Sequence, residues 1–155
     1  MLAAPDAEQH GVTIKRDLPG EPLPIKADLD FIKQALLNVV LNGIQAMPKG
    51  GPLTISARRD GDAVVAEVCD QGVGIAQDVR DKIFELYFTT RKEGNGIGLA
   101  QTYQILQWHY GSVEFESKEG AGTTFRFRLP LAASSLTSER AAGSSAETAM
   151  SKPAT

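Results

Sequence analysis

The sequence predicts an α+β fold with five strands and three helices. Two observations support this: several runs alternate apolar and polar residues, as strands with one buried face do, and one long segment carries an apolar stripe at helical spacing. The chain has 155 residues, 42% of them hydrophobic. That length and composition fit one domain with a substantial core, which we expect at residues 1–131.

The first half of the chain begins with an alternating run at residues 11–16, which predicts a strand. Residues 17–25 carry three prolines and a glycine and predict a loop. Asp28 or Asp30 is suited to cap a helix that runs to Met47, where a Pro-Lys-Gly-Gly-Pro segment stops it.

The second half repeats the same kinds of signal. Two alternating runs joined by Asp-Gly-Asp predict a hairpin, and two further strands lie on either side of a glycine-containing turn. Pro130 is expected to end the fold. The predicted elements in order are strands at 53–59 and 63–70, a short helix at 77–83, a helix at 99–109, and strands at 111–117 and 123–129.

The last 24 residues, 132–155, differ in composition from the rest. Seventeen of them are Ala, Ser, Thr or Gly, and the only large apolar residues are Leu136 and Met150. Such a segment buries too little apolar area to offset the entropy lost on ordering. We therefore predict a disordered tail.

Composition excludes several functions. The net charge of −3 disfavours nucleic-acid binding, no apolar run approaches the ~18 residues of a membrane span, and the start does not resemble a signal peptide. Cys69 is the only cysteine and fits a reducing compartment. A lone cysteine cannot form an internal disulfide or a cysteine-based metal site. His10 and His109 lie far apart in the sequence, which argues against a zinc site.

One face of the long helix carries three side-chain amides. Asn38, Asn42 and Gln45 lie within about 60° of one another at ~100° per residue. Asparagine is a mediocre helix former, and its amide oxygen suits magnesium, which prefers oxygen ligands and keeps several waters. A solvated polar face is the alternative. The opposite side is apolar and predicted to pack on the sheet: Ile32, Leu36, Val39, Val40, Gly43 and Met47.

Asp70 ends an apolar strand and is followed by Gly72 and Gly74. A carboxylate there is placed to accept a hydrogen bond from an exocyclic amine such as that of adenine. The two glycines leave room for a flat ring. A simple Asp-Gly turn is the alternative.

Three alternating glycines, Gly94, Gly96 and Gly98, run directly into a helical pattern. Glycine permits close approach of a ligand, and the start of a helix offers unpaired N–H groups to a phosphate. The spacing matches neither a Walker A loop nor a Rossmann fingerprint. A mobile glycine-rich loop without a ligand is the alternative.

The order of these motifs is more specific than any one of them. Asn38 and Asn42, then D-Q-G-V-G-I, F-E-L-Y-F-T-T-R, G-N-G-I-G-L-A and G-A-G-T-T-F resemble the N, G1, F and G2 boxes of sensor histidine kinases and that family's final strand. The likeness covers residues 8–131 and is greatest to the nitrogen-regulation type. It implies the Bergerat ATP-binding fold, a two-layer α+β sandwich whose mixed, mainly antiparallel sheet carries three helices on one face.

The resemblance also implies an Mg-ATP site. In it Asn42 ligates magnesium, Asn38 helps to hold the metal or the phosphates, and Asp70 reads the adenine amine with support from Thr123. A lid over the phosphates would be formed by Arg91, Gly94, Gly96 and Gly98, and Phe84 and Phe88 would anchor that lid and face the partner domain. The implied binding set is Asn38, Asn42, Gln45, Asp70, Gly72, Gly74, Ile75, Thr90, Arg91, Gly94, Gly96, Ile97, Gly98, Leu99 and Thr123.

Two residues depart from the usual family pattern. Gln45 stands where many relatives carry Lys, which puts one phosphate contact in doubt, and Gly43 replaces the usual Ala. Asn38 stands where hydrolysing relatives of this fold place a Glu that activates water. Since an amide takes no proton from water, the resemblance implies transfer of the γ-phosphate rather than hydrolysis.

The implied acceptor is a histidine on a dimeric helical hairpin, the dimerisation and phosphotransfer domain of a parent kinase, with a response regulator downstream. Neither His10 nor His109 lies in an H-E/D-x-x-x-P setting. We expect a cytoplasmic location, no nucleic-acid partner and no membrane span. The alternatives are a stand-alone GHKL-type ATPase, an anti-sigma serine kinase and a catalytically silent binding module.

Overall fold

A computed structural model describes residues 3–89 and 96–132 of the chain. It contains five strands, three α-helices and one short 3-10 helix, Gln77–Lys82, at the place of the predicted helix 77–83. The strands are β1 (Val12–Asp17), β2 (Gly51–Asp60), β3 (Ala63–Asp70), β4 (Ser112–Lys118) and β5 (Gly122–Pro130); the helices are α1 (Ala4–His10), α2 (Leu29–Gln45) and α3 (Gly98–Trp108).

The strands form a single five-stranded sheet in the order β1-β2-β3-β5-β4. Only the pair of β1 and β2 is parallel, and the other three pairs are antiparallel. Helices α2 and α3 pack against each other and against the sheet. The structure confirms the predicted two-layer sandwich with a mixed, mainly antiparallel sheet.

The core lies between the sheet and the helices. Val39, Val40 and Ile44 of α2 are fully buried and pack in one cluster with sheet residues that include Val68 and Phe125. Val68 and Phe125 are cross-strand partners, so their side chains share a face of the sheet. The apolar stripe predicted for the long helix is thus the surface that meets the sheet.

The opposite face of the sheet is charged. Glu67 and Arg126 are directly paired on β3 and β5 and form an ion pair with an Nε–Oε2 distance of 2.6 Å. Arg128 and Asp60 form a second pair at 2.7 Å. These pairs place polar groups on the side of the sheet that α2 and α3 leave uncovered.

Helix α1 is absent from the sequence-based prediction. It buries only small side chains, Ala3 and Ala7, so no large apolar residues reveal its periodicity. Two capping signals were available: a proline in its first turn and Gly11, whose left-handed conformation (φ 74°) ends the helix.

Several predicted boundaries were wrong by one or two residues. Asp28 is the N-cap of α2, as predicted, but the helix ends at Gln45 rather than Met47. Pro130 does not end the fold, because Leu131 pairs with Ile25 and the Ala132 N–H donates to the Pro24 carbonyl. The rest of the predicted tail, 133–155, lies outside the described residues.

Within residues 3–89 and 96–132, none of the helices combines the length and the hydropathy that crossing a bilayer requires.

Candidate functional site

The Asn38 side chain joins α2 to the start of α3. Its Nδ2 donates to the Gly98 carbonyl at 3.0 Å and also approaches Gln101 Oε1 at 3.1 Å and Thr102 Oγ1 at 3.3 Å. Its Oδ1 accepts from Gln34 Nε2 at 2.9 Å, one turn earlier on α2. Both ends of the amide therefore contact protein groups, which fixes its orientation.

Thr102 strengthens the same junction. Its side chain is fully buried, and its hydroxyl lies 2.9 Å from the Gly98 carbonyl and 3.4 Å from the Ala35 carbonyl of α2. The helix start is thereby held against α2. Since Ile97 provides no side-chain cap for α3, the first N–H groups of the helix are suited to an anion.

Asn42 and Gln45 follow Asn38 on the same face of α2. Asn38 and Asn42 are half-buried and Gln45 is exposed. No cluster of three or more His, Cys, Asp or Glu side chains that could hold a metal occurs among the described residues. A magnesium ion here would therefore depend on amide oxygens and on oxygens of its own ligand, which is a donor set that magnesium accepts.

Asp70 is buried at the end of β3, with 4% of its surface exposed. Its Oδ1 accepts from the backbone N–H of Gly72 at 2.9 Å and from that of Thr123 at 3.3 Å. Burial raises the pKa of the Asp70 carboxyl above its usual 3.8, and the two backbone hydrogen bonds partly oppose that rise. The two backbone hydrogen bonds fix the orientation of this buried carboxyl group.

The glycines around Asp70 allow close backbone contacts. A Cβ on Gly72 would lie 2.3 Å from the Ala46 carbonyl oxygen, and one on Gly74 would lie 2.3 Å from the Lys118 carbonyl oxygen. The room we predicted for a flat ring is therefore partly taken by the protein's own backbone. Gly74 also has a φ of 77°, which favours glycine.

Gly43 brings α2 close to Asp70. A Cβ at this position would lie 3.4 Å from Asp70 Oδ2 and 2.7 Å from Leu53 Cδ1. The buried carboxylate of β3 therefore lies against the sheet-facing side of α2, at the helical turn that also carries Asn42. This departure from the family pattern increases the space beside the carboxylate.

The glycine-rich segment is described from Gly96 onward. The Tyr87 N–H donates to the Gly96 carbonyl at 2.7 Å, and both residues have positive φ, 70° and 72°. Ile97, Gly98 and Leu99 lead into α3 beside Asn38. Thr90, Arg91 and Gly94 lie outside the described residues, so their predicted contacts stay predictions.

The two phenylalanines expected to anchor the lid pack against the core. The ring of Phe84 lies 5.7 to 6.4 Å from the rings of Tyr103, Phe115 and Phe125. This aromatic cluster connects the segment before the lid to α3, β4 and β5. Whether Phe84 or Phe88 meets a partner domain stays a prediction.

Sequence reasoning missed residues whose partners are remote in the chain. Ser117 binds Ile75, 42 positions away, and Thr102 binds Ala35, 67 positions away. Gln101, 63 positions from Asn38, is a further example. Arg80 and Gln34 were missed although their partners are local: Arg80 binds Ile75, five positions away, and Gln34 precedes Asn38 by four residues on one helix.

Comparison with known proteins agrees with this geometry. Residues 27–133 match the family of histidine kinase-, DNA gyrase B- and HSP90-like ATPases. The catalytic domain of the histidine kinase ThkA has a similar structure, with a TM-score of 0.75 and 30% identity over 84% of this chain and 86% of that one. The chain belongs to this ATPase family and is a histidine kinase catalytic domain.

Other relatives are longer proteins. The chain is 41% identical over 131 residues to the sensor histidine kinase ZraS of Escherichia coli (strain K12), covering 84% of this chain but 28% of ZraS. Sporulation kinase E of Bacillus subtilis (strain 168) is 33% identical, with 81% and 17% covered. Full-length ShkA, solved in complex with AMPPNP, has a TM-score of 0.73 and 34% identity, with 84% and 28% covered. The chain thus spans less than a third of these proteins.

Proposed function

We propose that this domain binds Mg-ATP and donates the γ-phosphate to a histidine on a separate dimerisation and phosphotransfer domain in two-component signalling. One observation supports the proposal most: the buried Asp70 carboxylate lies against α2 at Gly43, next to Asn42. The proposed acceptor for an adenine amine therefore lies against the turn of α2 that carries the proposed amide ligand for magnesium.

Each part of the ligand has a matching group in the fold. Asp70 accepts a hydrogen bond from the adenine amine beside Gly72, Gly74 and Ile75. The uncapped start of α3 suits the phosphates, with Thr90, Arg91 and Gly94 as further proposed contacts. Magnesium, held through Asn42, would neutralise phosphate charge.

Asn38 holds the start of α3 rather than acting on water. Its amide donates to Gly98 and accepts from Gln34, and an amide has no basic site at neutral pH. The site therefore orients the γ-phosphate for an incoming nucleophile. In this conformation Asn38 supports the phosphate-binding helix directly, and its Oδ1, which accepts one hydrogen bond from Gln34, has a second lone pair for a metal.

The same proposal sets the partners and the location. The acceptor histidine belongs to a hairpin domain of the parent kinase, and a response regulator would receive the phosphate from it. Since the reaction consumes cellular ATP, we place the domain in the cytoplasm.

Isothermal titration calorimetry tests the binding step. We expect ATP and ADP to bind in the micromolar range, about −7 to −8 kcal/mol, and to bind more tightly with magnesium. Asn42→Ala should remove most of the magnesium dependence, whereas Gln104→Ala, at an exposed amide of α3, should retain it. Equal affinity of the unmutated chain for ATP and GTP would contradict the role of Asp70.

A further inference from the structure

The loop after Asp70 rests on the turn between β4 and β5. The Gly120 N–H donates to the Val73 carbonyl at 2.7 Å, and Gly74 approaches the Lys118 carbonyl so closely that a Cβ would lie 2.3 Å from it. The position of this loop therefore depends on backbone groups of the turn between β4 and β5.

Ile75 is held through both of its backbone polar groups. Its N–H donates to Ser117 Oγ at 2.8 Å. Its carbonyl accepts from Arg80 Nε at 3.2 Å and from Arg80 Nη2 at 3.1 Å. One contact comes from β4 and the other from the 3-10 helix, so Ile75 is fixed from two sides.

The Ser117 hydroxyl makes three contacts with one proton. The Gly122 carbonyl, 3.1 Å away, has no proton to give, so Ser117 donates to it. Ser117 then accepts from the Ile75 N–H, and the Thr123 hydroxyl at 2.8 Å becomes the second donor. Only this arrangement of donors and acceptors provides a hydrogen for each of the three contacts.

The network continues to the buried carboxylate. The Thr123 backbone N–H donates to Asp70 Oδ1 at 3.3 Å, while the Thr123 hydroxyl binds Ser117. The chain of contacts therefore runs from Asp70 through Thr123 and Ser117 to Ile75, and on to Arg80.

We propose that Ser117 and Arg80 are positioning residues that fix Ile75 relative to Asp70 and thereby set the affinity and selectivity of the site for adenine. This inference rests on the proposed function, since it takes Asp70 and Ile75 as contacts of the adenine base. Neither residue needs to touch the nucleotide.

Substitution of Ser117 tests the inference. In competition titrations against a labelled ADP, Ser117→Ala should lower the ratio of ATP to GTP affinity about ten-fold, because it leaves the Ile75 N–H without its partner. Ser117→Thr keeps the hydroxyl and should restore most of the ratio. Ser112→Ala, at an exposed serine of the same strand, is the matched control and should leave the ratio unchanged.

Arg80 provides a second, independent variant. Arg80→Lys keeps the positive charge but loses the two-pronged contact with the Ile75 carbonyl, so the ratio should fall here too. Lys82→Ala, at an exposed residue of the same 3-10 helix, is its control. Amide hydrogen exchange should be faster at Ile75 in Ser117→Ala and Arg80→Lys, while the amides of α2 keep their protection.

The outcomes separate this inference from the proposed function. The inference alone would be overturned if the unmutated protein prefers ATP while the Ser117→Ala and Arg80→Lys variants keep both the ATP-to-GTP affinity ratio and slow amide exchange at Ile75. Unmutated protein without any preference for ATP would overturn the proposed function and the inference with it.

Discussion

Burial of the Asp70 side chain has a free-energy cost that its two backbone donors reduce without removing. The pKa of this carboxyl is raised, mainly by burial, so the folded state disfavours its ionised form. Residues that serve a ligand commonly cost stability in this way. Asp70 is therefore a residue whose removal should weaken binding and strengthen folding.

Asp70→Asn should raise the free energy of unfolding at pH 7. Asn keeps an oxygen for the Gly72 and Thr123 N–H groups, which both bind Oδ1, and removes the buried charge. The folded-state pKa of Asp70 lies above 3.8. The free-energy cost of burying its ionised form is therefore fully present at pH values above that folded-state pKa and absent below pH 3.8. Thermal denaturation across this range should show the difference between variant and wild type shrinking as the pH falls.

The control for this prediction is Asp62→Asn, at an exposed residue of the turn between β2 and β3. It should leave both the stability at pH 7 and the preference for adenine unchanged. An Asp70→Asn variant that is less stable than wild type at pH 7 would show that the carboxylate stabilises the fold.

At the residue scale, the sequence predicted the candidate site residues better than it predicted which residues they contact. The strand-ending Asp70 and the amide face of α2 follow from local patterns, and in the structure the Asp70 carboxylate lies against α2 at Gly43. The contacts of Asn38 with Gly98, Gln101 and Thr102 span 60 or more positions, and no local pattern specifies such distant pairs.

Among the elements, the contact between α2 and the end of β3 depends on Gly72. The Val73 N–H donates to the Ala46 carbonyl at 3.0 Å, and that same oxygen would lie 2.3 Å from a Cβ on Gly72. Any side chain here must move the end of α2 away from the sheet. Because Asn42 and Gly43 lie in the last turns of α2, such a shift would also widen the proposed site.

Gly72→Ala should therefore lower the free energy of unfolding by about 1–3 kcal/mol, the usual cost of forcing atoms into a packed site. Gly20→Ala is the matched control, since a Cβ there would have nothing within 4 Å, and its effect should stay within about 1 kcal/mol. Urea denaturation measures both. Equal stability of the two variants would mean that the helix end adjusts freely.

The predictability of each element followed from its local chemistry. Strand β3 has the predicted bounds, Ala63–Asp70, because an Asp-Gly-Asp turn precedes its apolar residues and Gly72 and Gly74 follow them. Helix α1 was missed because it buries only alanines. The ends of β2 and α2 shifted because hydrogen bonding continues or stops by one or two residues independently of apolar periodicity.

At the scale of the whole molecule, the two faces of the sheet have different surroundings. One side of the sheet packs on α2 and α3, and the other carries ion pairs such as Arg126–Glu67. The candidate site lies where α2 meets the end of β3, with the start of α3 alongside. Of the segments that resemble histidine kinases, those at Asp70 and Thr123 are joined by a hydrogen bond, and Asn38 contacts the start of α3 at Gly98.

Phosphate transfer to histidine tests the central claim most directly. The chain is incubated with γ-labelled ATP and magnesium, alone and with the phosphoacceptor hairpin of its parent kinase. Alone, it should gain no acid-labile phosphate and should turn over ATP slowly, because Asn38 cannot act as a general base. With the hairpin, the label should appear on the hairpin histidine. Rapid ATP hydrolysis by the chain, without transfer to the hairpin, would contradict the account and favour a stand-alone ATPase.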